Sequence, residues 1–275
     1  NSLWMDDTCH FDDGTVQTLA NSYYASVFHG DLGTDSMNEQ LRQWTNSQTG
    51  GLLDNSAQNT EMSPNTVFSL ISTAYFDANW ENEFNPKDTS EGVFYCKDFD
   101  QITQFMHQSN FDYYYRGENC GAVQLPLNGS HTMWLFLPDE GANVADVLNS
   151  DISWAILQGN NNLQYAKFLH IDISLPKFDI NSTTDLINGF QKLGITDIFD
   201  SSADFSTITR ETNIYTQTFE QSSRIAIDEQ GIVGAAYTYV DNAYLGVPQE
   251  KVDFILNRPF MFVITGRDNL PLFVG

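Results

Sequence analysis

Positive charge is scarce in this sequence. Its 275 residues include 12 Lys and Arg against 36 Asp and Glu, which gives a formal net charge of −24. A field of this sign repels phosphate groups, so it argues against nucleic acid as a partner. Anionic membrane surfaces and heparin-like cofactors are disfavoured for the same reason.

Cysteine is also scarce, and the three thiols are Cys9, Cys96 and Cys120. An odd number leaves at least one of them unpaired within the chain. None belongs to a CxxC pair, and Cys9-His10 alone is not a metal-ligand spacing. No apolar run reaches the length that spans a membrane. We therefore expect no metal, no cofactor and no membrane span.

Apolar residues are abundant enough for a large core, since hydrophobic residues make up 41% of the chain and aromatic residues 13%. The spacing of these residues predicts three helices. They are one over about residues 14–27, one that runs from Met37 to a stop at Gly50-Gly51, and one over Thr183–Leu193.

Strand patterns fill most of the remaining chain. Phe68–Phe76 is a continuous apolar run and predicts a buried strand. Ala122–Pro126 and Thr132–Pro138 flank an Asn-Gly-Ser turn, which is typical of a hairpin. Apolar and polar residues alternate over Leu169–Leu175, so one face of that strand should be buried. Helices and strands mix without a regular βαβ alternation, which favours an α+β fold in one domain.

A long connector separates two of the predicted strands. Arg224–Asp228 and Val252–Leu256 both have strand patterns, and the connector Gly231–Lys251, of about 20 residues, lies between them. Loops longer than about 12–15 residues are uncommon unless they are functional or disordered. Disorder normally goes with high charge and few aromatics, whereas this segment holds three tyrosines and only three charged residues.

The first part of this connector, from Gly231 to Val240, has neither charge nor proline. Such a stretch could become a strand that is buried on both faces, although its length suggests a loop. The alternative is an ordinary interior strand followed by a turn at Gly246–Pro248. The pattern alone leaves both interpretations open.

Several dispersed motifs resemble the serpin family. The central one, ISLPKFDINSTTDLINGFQKLGITDIFDSSADFSTIT, runs from Ile173 to Thr209. Further matches occur in the family's order, and they are LRQWTNSQTGG, TAYFDANW, MHQ, VQLPLNG, WLFLPDEG, IDEQG and NRPFMFVI. Motifs in the right order over nearly the whole chain are more specific than any one of them.

The resemblance implies a single serpin domain over residues 1–275, with an exposed reactive loop at about 231–251. Its fold would be α+β, with a large mixed or antiparallel central sheet, further sheets and surrounding helices. The match starts at the first edge strand of the large sheet, so a chain that lacks the family's N-terminal helices is expected. The resemblance also implies a secreted, extracellular monomer.

In serpins a target protease cuts the exposed loop, and the first part of the loop then inserts into the large sheet. The resemblance assigns the hinge of this loop to Glu229, Gly231, Ile232, Val233, Gly234, Ala235 and Ala236. It places the cut at Leu245-Gly246, with Tyr244 as the alternative bait. An apolar bait suits serine proteases with a hydrophobic specificity pocket, of the chymotrypsin, subtilisin or elastase type.

The resemblance also assigns residues that support the sheet. Lys177 and Glu229 match a pair at the top of the large sheet, and Trp80 matches a tryptophan in the same region. Ser72 and Gln221 replace the family's usual asparagine and histidine where the sheet opens. Two exposed, unpaired charges at 177 and 229 remain the alternative to an ion pair.

Two other functions compete with inhibition. A hydrolase is disfavoured, because the sequence has neither a GxSxG elbow nor an HExxH helix. A non-inhibitory serpin with a binding, storage or chaperone-like role is the stronger rival. Ile232-Val233 and Tyr237 support it, because the family usually has smaller or more polar residues there.

Overall fold

The computed structural model describes residues 1–51, 61–158, 165–211, 214–232 and 250–275. The chain forms two compact units. Unit 1 comprises Asn1–Tyr75 and Ile180–Ile225, and unit 2 comprises Phe76–Asp179 and Ala226–Gly275. The single-domain assignment stays a prediction.

The described part of unit 1 carries three helices and most of five strands. The helices are α1 (Asp13–Ser22), α2 (Asp35–Gln48) and α5 (Ile187–Lys192). The strands are β1 (Ser2–Asp6), β2 (Ser26–Gly30), β3 (Phe68–Ile71), β10 (Phe178–Asp185) and β11 (Glu220–Ile227). A short 3-10 helix covers Asp197–Phe199.

The strands of unit 1 form two separate sheets. β1 lies at the centre of the first, with β2 parallel on one side and β3 antiparallel on the other. β10 and β11 form the second sheet. All five residues of β1 are buried, and Trp4 stacks on Phe28 at a ring distance of 4.0 Å. Trp4 also packs in one cluster with Leu41 of α2.

The helix predicted over residues 14–27 ends at Ser22, five residues early. Tyr24 has a φ of 53°, a left-handed conformation that an α-helix cannot contain, and β2 follows directly. Val16 and Leu19 face the buried side, as their spacing indicated, whereas Tyr23 is exposed. The helix predicted from Met37 to Gly50 is confirmed as α2, which Thr34 caps.

Two further predictions for unit 1 were wrong in part. The buried strand expected over Phe68–Phe76 is only the four residues of β3, and Leu70 on it is exposed. Within the described residues β3 pairs with β1 alone, so it is a half-buried edge strand. The helix expected over Thr183–Leu193 begins only at Ile187, because β10 extends to Asp185 and its threonines favour a strand.

Unit 2 is built on an eight-stranded sheet with the order β13-β9-β6-β7-β8-β14-β15, in which β5 also pairs with β6. These strands are β5 (Ser90–Tyr95), β6 (Asp100–Arg116), β7 (Cys120–Leu127), β8 (His131–Pro138), β9 (Ala166–Pro176), β13 (Lys251–Ile255), β14 (Met261–Thr265) and β15 (Pro271–Val274). The remaining elements are β4 (Ala78–Asn79), β12 (Gly231–Ile232), α3 (Val144–Leu148), α4 (Asp151–Leu157) and a 3-10 helix at Pro86–Asp88.

The strand predictions for unit 2 are confirmed. β7 and β8 form the expected hairpin, with Leu127 opposite His131. Along β9 the residues Leu169, Ile171 and Ile173 are buried and alternate with partly exposed ones. β13 runs parallel to β9 and the other paired strands of this sheet run antiparallel, so the sheet is mixed and the fold is α+β.

Candidate functional site

The connector that the sequence singled out leaves the described structure at Ile232 and returns at Glu250. Its first anchor is β12, which follows β11 after a turn, and its second anchor is β13. The predicted hinge residues Val233, Gly234, Ala235 and Ala236 lie outside the described residues. The predicted bait residues Tyr244, Leu245 and Gly246 lie outside them too.

At the first anchor the hinge is paired with a strand. Gly231 lies opposite Asn79 and Ile232 opposite Ala78, in antiparallel register. Gly231 has a φ of 152°, and a Cβ there would lie 2.4 Å from the Ala78 carbonyl oxygen. Only glycine allows so close an approach of two backbones, which explains why this position carries no side chain.

A tight turn leads into β12. The Asp228 carboxylate accepts hydrogen bonds from the backbone N–H of Gln230 (2.9 Å) and of Gly231 (3.2 Å). The Asp228 N–H in turn donates to the Gly231 carbonyl oxygen at 3.1 Å. The turn therefore reverses the chain after β11 and fixes the direction of β12, with which the connector begins.

Trp80 stabilises this turn through hydrogen bonds. Its side chain is buried, and its indole Nε1–H donates to the Asp228 carbonyl oxygen at 2.9 Å. Its backbone N–H donates to the Gln230 carbonyl oxygen at 3.0 Å. The backbone N–H of Phe84 donates to the backbone carbonyl oxygen of Glu229, also at 3.0 Å. The structure thus brings the predicted support residue Trp80 directly against the hinge.

Lys177 and Glu229 form an ion pair, with Lys177 Nζ 2.7 Å from Glu229 Oε2. The Lys177 side chain is 36% exposed and the Glu229 side chain 13%, so the pair is partly screened from water. Thr89 Oγ1 donates to the other oxygen of Glu229 at 2.8 Å. The backbone N–H of Lys177 donates to the Gln104 carbonyl oxygen at 2.8 Å, which ties the pair to β6.

The electrostatics of Glu229 combine two opposing effects. Partial burial raises its pKa, but the hydrogen bonds from Lys177 and Thr89 favour the charged form more strongly. The net result is a pKa below the ordinary glutamate value of 4.5. The folded state therefore holds the carboxylate charged, and protonation of Glu229 would weaken both hydrogen bonds.

We expect the Glu229→Gln variant to lose stability that depends on pH. Because the folded pKa is depressed, the contribution of Glu229 is fully present above its ordinary pKa of 4.5 and is lost as the pH falls through the folded value. Hydrogen bonds to charged groups contribute about 1.5–3 kcal/mol, and the exposure of Lys177 favours the lower end. Urea unfolding of both proteins between about pH 7 and about pH 3 measures this.

The difference between the two free energies of unfolding should shrink steadily as the pH falls over that range. Taking this difference cancels the contributions of the other carboxylates, because both proteins share them. A difference that stays constant with pH would contradict the role of the Glu229 charge. Thr89→Val is the matched second variant, because it removes one hydrogen bond to Glu229 without removing the charge.

Ser72 and Gln221, the other predicted support residues, are both exposed. Within the described part of the chain, no hydrogen bond joins their side chains. Their support role stays a prediction.

Ion pairs surround the second anchor. Lys251, the first residue of β13, contacts the carboxylates of Asp172 and Asp253. Glu250 pairs with Lys167, and its carbonyl oxygen accepts from the His170 N–H at 3.2 Å. Hydrogen bonds from Lys251 and Ser109 hold the pKa of Asp172 below its ordinary value. This end of the connector is thus tied to β9 by backbone pairing and by charge.

Two residues of the site were not expected from the sequence. Thr89 has no local signal, since its partner Glu229 is 140 residues away along the chain. Asp228 could have been found, because an Asp before a Gly at this spacing is typical of a turn in which the carboxylate caps backbone N–H groups.

Across the described ranges, no three His, Cys, Asp or Glu side chains come together in a group that could hold a metal ion. The described helices include none that is long and apolar enough to cross a membrane.

Comparison with known proteins identifies close similarity to one family. The family model described as Serpin (serine protease inhibitor) matches residues 1–275. The horse protein named Alpha-1-antiproteinase 2 is 27% identical over 282 residues, which cover 100% of this chain and 64% of the relative. The human Plasma serine protease inhibitor is 28% identical and is covered to 67%. Intracellular coagulation inhibitor 2 of Tachypleus tridentatus is 26% identical over 94% of this chain and 64% of its own length.

Solved structures give the same result for the fold. The thermophilic serpin tengpin in its native state matches with a TM-score of 0.83 and 27% identity, over 100% of this chain and 71% of that one. Thyroxine-binding globulin in complex with thyroxine matches with a TM-score of 0.78 and 24% identity, over 100% and 73%. The chain thus spans about two thirds of the length of these relatives.

Proposed function

Because this chain belongs to the serpin family, we propose that it inhibits a serine protease as a suicide substrate, in which the cut loop inserts between the two sheets of unit 1. The expected order of events is attack on the loop, formation of an acyl link to the protease, and insertion of the free hinge before hydrolysis can finish. The product is held by a kinetic barrier rather than by reversible binding.

The pairing of β12 with β4 is the observation that carries this proposal. An inserted strand must run antiparallel to its neighbour, and Gly231 and Ile232 already do so opposite Asn79 and Ala78. These two residue pairs would be the first pairs of a longer antiparallel strand pairing.

The edges of the two sheets in unit 1 support the same proposal. In the described part of the chain β3 pairs only with β1, and β11 pairs only with β10. Each strand therefore keeps one side on which further backbone hydrogen bonds can form. A loop segment placed between them would satisfy both sides at once, which is the physical driving force for insertion.

The side chain of Ile232 indicates which loop residues would face the core, because Gly231, although also buried, carries no side chain. Ile232 is only 3% exposed, and side chains alternate along a strand. Gly234, Ala236, Thr238 and Val240 would share its face, whereas Val233, Ala235, Tyr237 and Tyr239 would face the other way. Both bulky tyrosines are thereby directed away from the core, so the size of Tyr237 is less of an obstacle than its sequence position suggests.

The target and the location are proposed from the sequence and the relatives. Leu245-Gly246, or Tyr244 as the alternative, would offer an apolar bait to a protease with a hydrophobic specificity pocket. Two relatives are named as an antiproteinase and as a plasma inhibitor, and a third is named as intracellular. We propose an extracellular location on the strength of the plasma inhibitor.

A non-inhibitory binding role is the second candidate. The departures at Ile232-Val233 favour it, because the family usually has a small hydroxyl residue and then an acid at this point. Incubation with chymotrypsin or subtilisin distinguishes the two. A covalent band that survives SDS and carries the N-terminal part of the cut loop supports inhibition, whereas cleavage near Leu245 without such a band would overturn it.

A further inference from the structure

The hairpin of β5 and β6 presents an apolar surface to solvent. Val93, Tyr95, Phe99 and Ile102, hereafter the hairpin patch, are each between 39% and 68% exposed. Val93 lies directly opposite Ile102 across the two strands. Tyr95 shares their face by alternation, and Phe99 lies in the turn, where the Cys96 N–H donates to its carbonyl oxygen at 3.0 Å.

The inward face of the same hairpin is already used for packing. Phe94 packs edge-on against Phe260 at 6.3 Å, and Phe105 is buried. A Cβ on Gly92 would approach Phe105 Cδ2 to 2.7 Å. The outward face of an antiparallel hairpin that packs on one side is normally polar. An apolar outward face, at an edge strand, therefore indicates an interaction surface.

The hairpin patch lies close to the base of the connector at its first anchor. Thr89, directly before β5, donates to Glu229 in the hinge. The carbonyl oxygen of Gln104, two residues after Ile102, accepts from Lys177. At about 3.3 Å per strand residue, Thr89 lies about 13 Å from Val93 along β5, and Gln104 lies about 7 Å from Ile102 along β6.

The hairpin also contacts the chain beyond β13, at the end of that strand remote from the connector. The Tyr95 N–H donates to the carbonyl oxygen of Asn257 at 2.7 Å, and Asn257 lies two residues after the end of β13. An ordinary protein interface buries about 800 Å² on each partner, which corresponds to a disc of about 16 Å radius. A protease that docks on the connector beside its first anchor would extend over the part of the patch formed by Val93 and Ile102.

The charges around the patch indicate the chemistry of this partner. Glu91, Asp98 and Asp100 are exposed beside it, and Lys97 is the cation among them. The whole chain carries a formal charge of −24. A surface that is apolar at its centre and basic at its rim would match the patch in both respects.

We propose that the hairpin patch is a second docking surface for the target protease, separate from the bait loop, and that it selects a protease with an apolar surface rimmed by basic residues. This inference rests on the proposed function, because it takes the bait loop as the primary contact. The patch would speed the first encounter and leave the later insertion step unchanged.

The test compares the wild-type chain with the double variant Phe99→Ser and Ile102→Ser. The control is Leu272→Ser on β15, the terminal strand of the eight-stranded sheet, because this leucine is 47% exposed and lies outside the patch. The measured quantity is the second-order rate constant for attack on the loop, with two chymotrypsin-like proteases of high and of low isoelectric point. Loss of contacts from two such side chains should slow attack by the basic protease about tenfold.

The control and the acidic protease should show no change beyond about twofold. Equal rates for wild type and double variant with the basic protease would overturn the proposal. Sedimentation that shows a wild-type dimer, lost in the double variant, would overturn it as well, because the patch would then belong to a second copy of this chain. If the wild type is cut without forming a stable complex, the inhibitor function fails, yet the same rate constants still decide whether the patch docks the protease.

Discussion

Replacing Ala236 by arginine is expected to turn the protein from an inhibitor into a substrate. Ile232 is 3% exposed and shares its strand face with Ala236 in the proposed inserted state. Insertion would bury the new guanidinium without a partner, which costs about 3–5 kcal/mol. Since each factor of ten corresponds to about 1.4 kcal/mol, the number of chains consumed per protease trapped should rise at least about 100-fold.

Tyr237→Arg is the matched control, because residue 237 would lie on the opposite face. Its stoichiometry of inhibition should stay within a few-fold of the wild type, while the rate of attack on the loop is similar in both variants. Titration of protease activity against increasing amounts of each chain measures the stoichiometry. Equal losses for the two variants would show that the faces were assigned wrongly.

The main features of the fold could be predicted from the sequence wherever one pattern decided the structure. The alternation over Leu169–Leu175 and the Asn-Gly-Ser turn after β7 each have one physical solution, and both are present. The α+β class follows from the same patterns. The boundaries were less predictable, because Tyr24 leaves the helical region and the threonines of β10 favour a strand over the helix that the apolar spacing suggested.

The residues of the site also differ in how far the sequence predicted them. Glu229, Gly231 and Lys177 were assigned by resemblance, and the structure places the two charged side chains 2.7 Å apart. The hydrogen bond from Thr89 to Glu229 could not be predicted, since it joins residues far apart in the chain and depends on the packing of unit 2. The hairpin patch was also beyond the sequence, because alternation along β5 and β6 does not say which face of the hairpin is buried.

Cleavage of the loop is expected to stabilise the protein strongly. An inserted strand of about ten residues would add about ten backbone hydrogen bonds on the free sides of β3 and β11, each contributing about 1 kcal/mol net. For a chain of this size, 1 kcal/mol raises the unfolding temperature by about 2 °C. The cut form should therefore unfold about 20 °C above the intact form.

Calorimetry of the intact and the cut chain measures this difference directly, with cleavage near Leu245 confirmed by mass spectrometry. The account predicts a rise of about 20 °C for the cut wild type and for cut Tyr237→Arg, and a rise about 6–10 °C smaller for cut Ala236→Arg. An unfolding temperature that does not change when the wild-type loop is cut would contradict insertion, and the suicide mechanism with it.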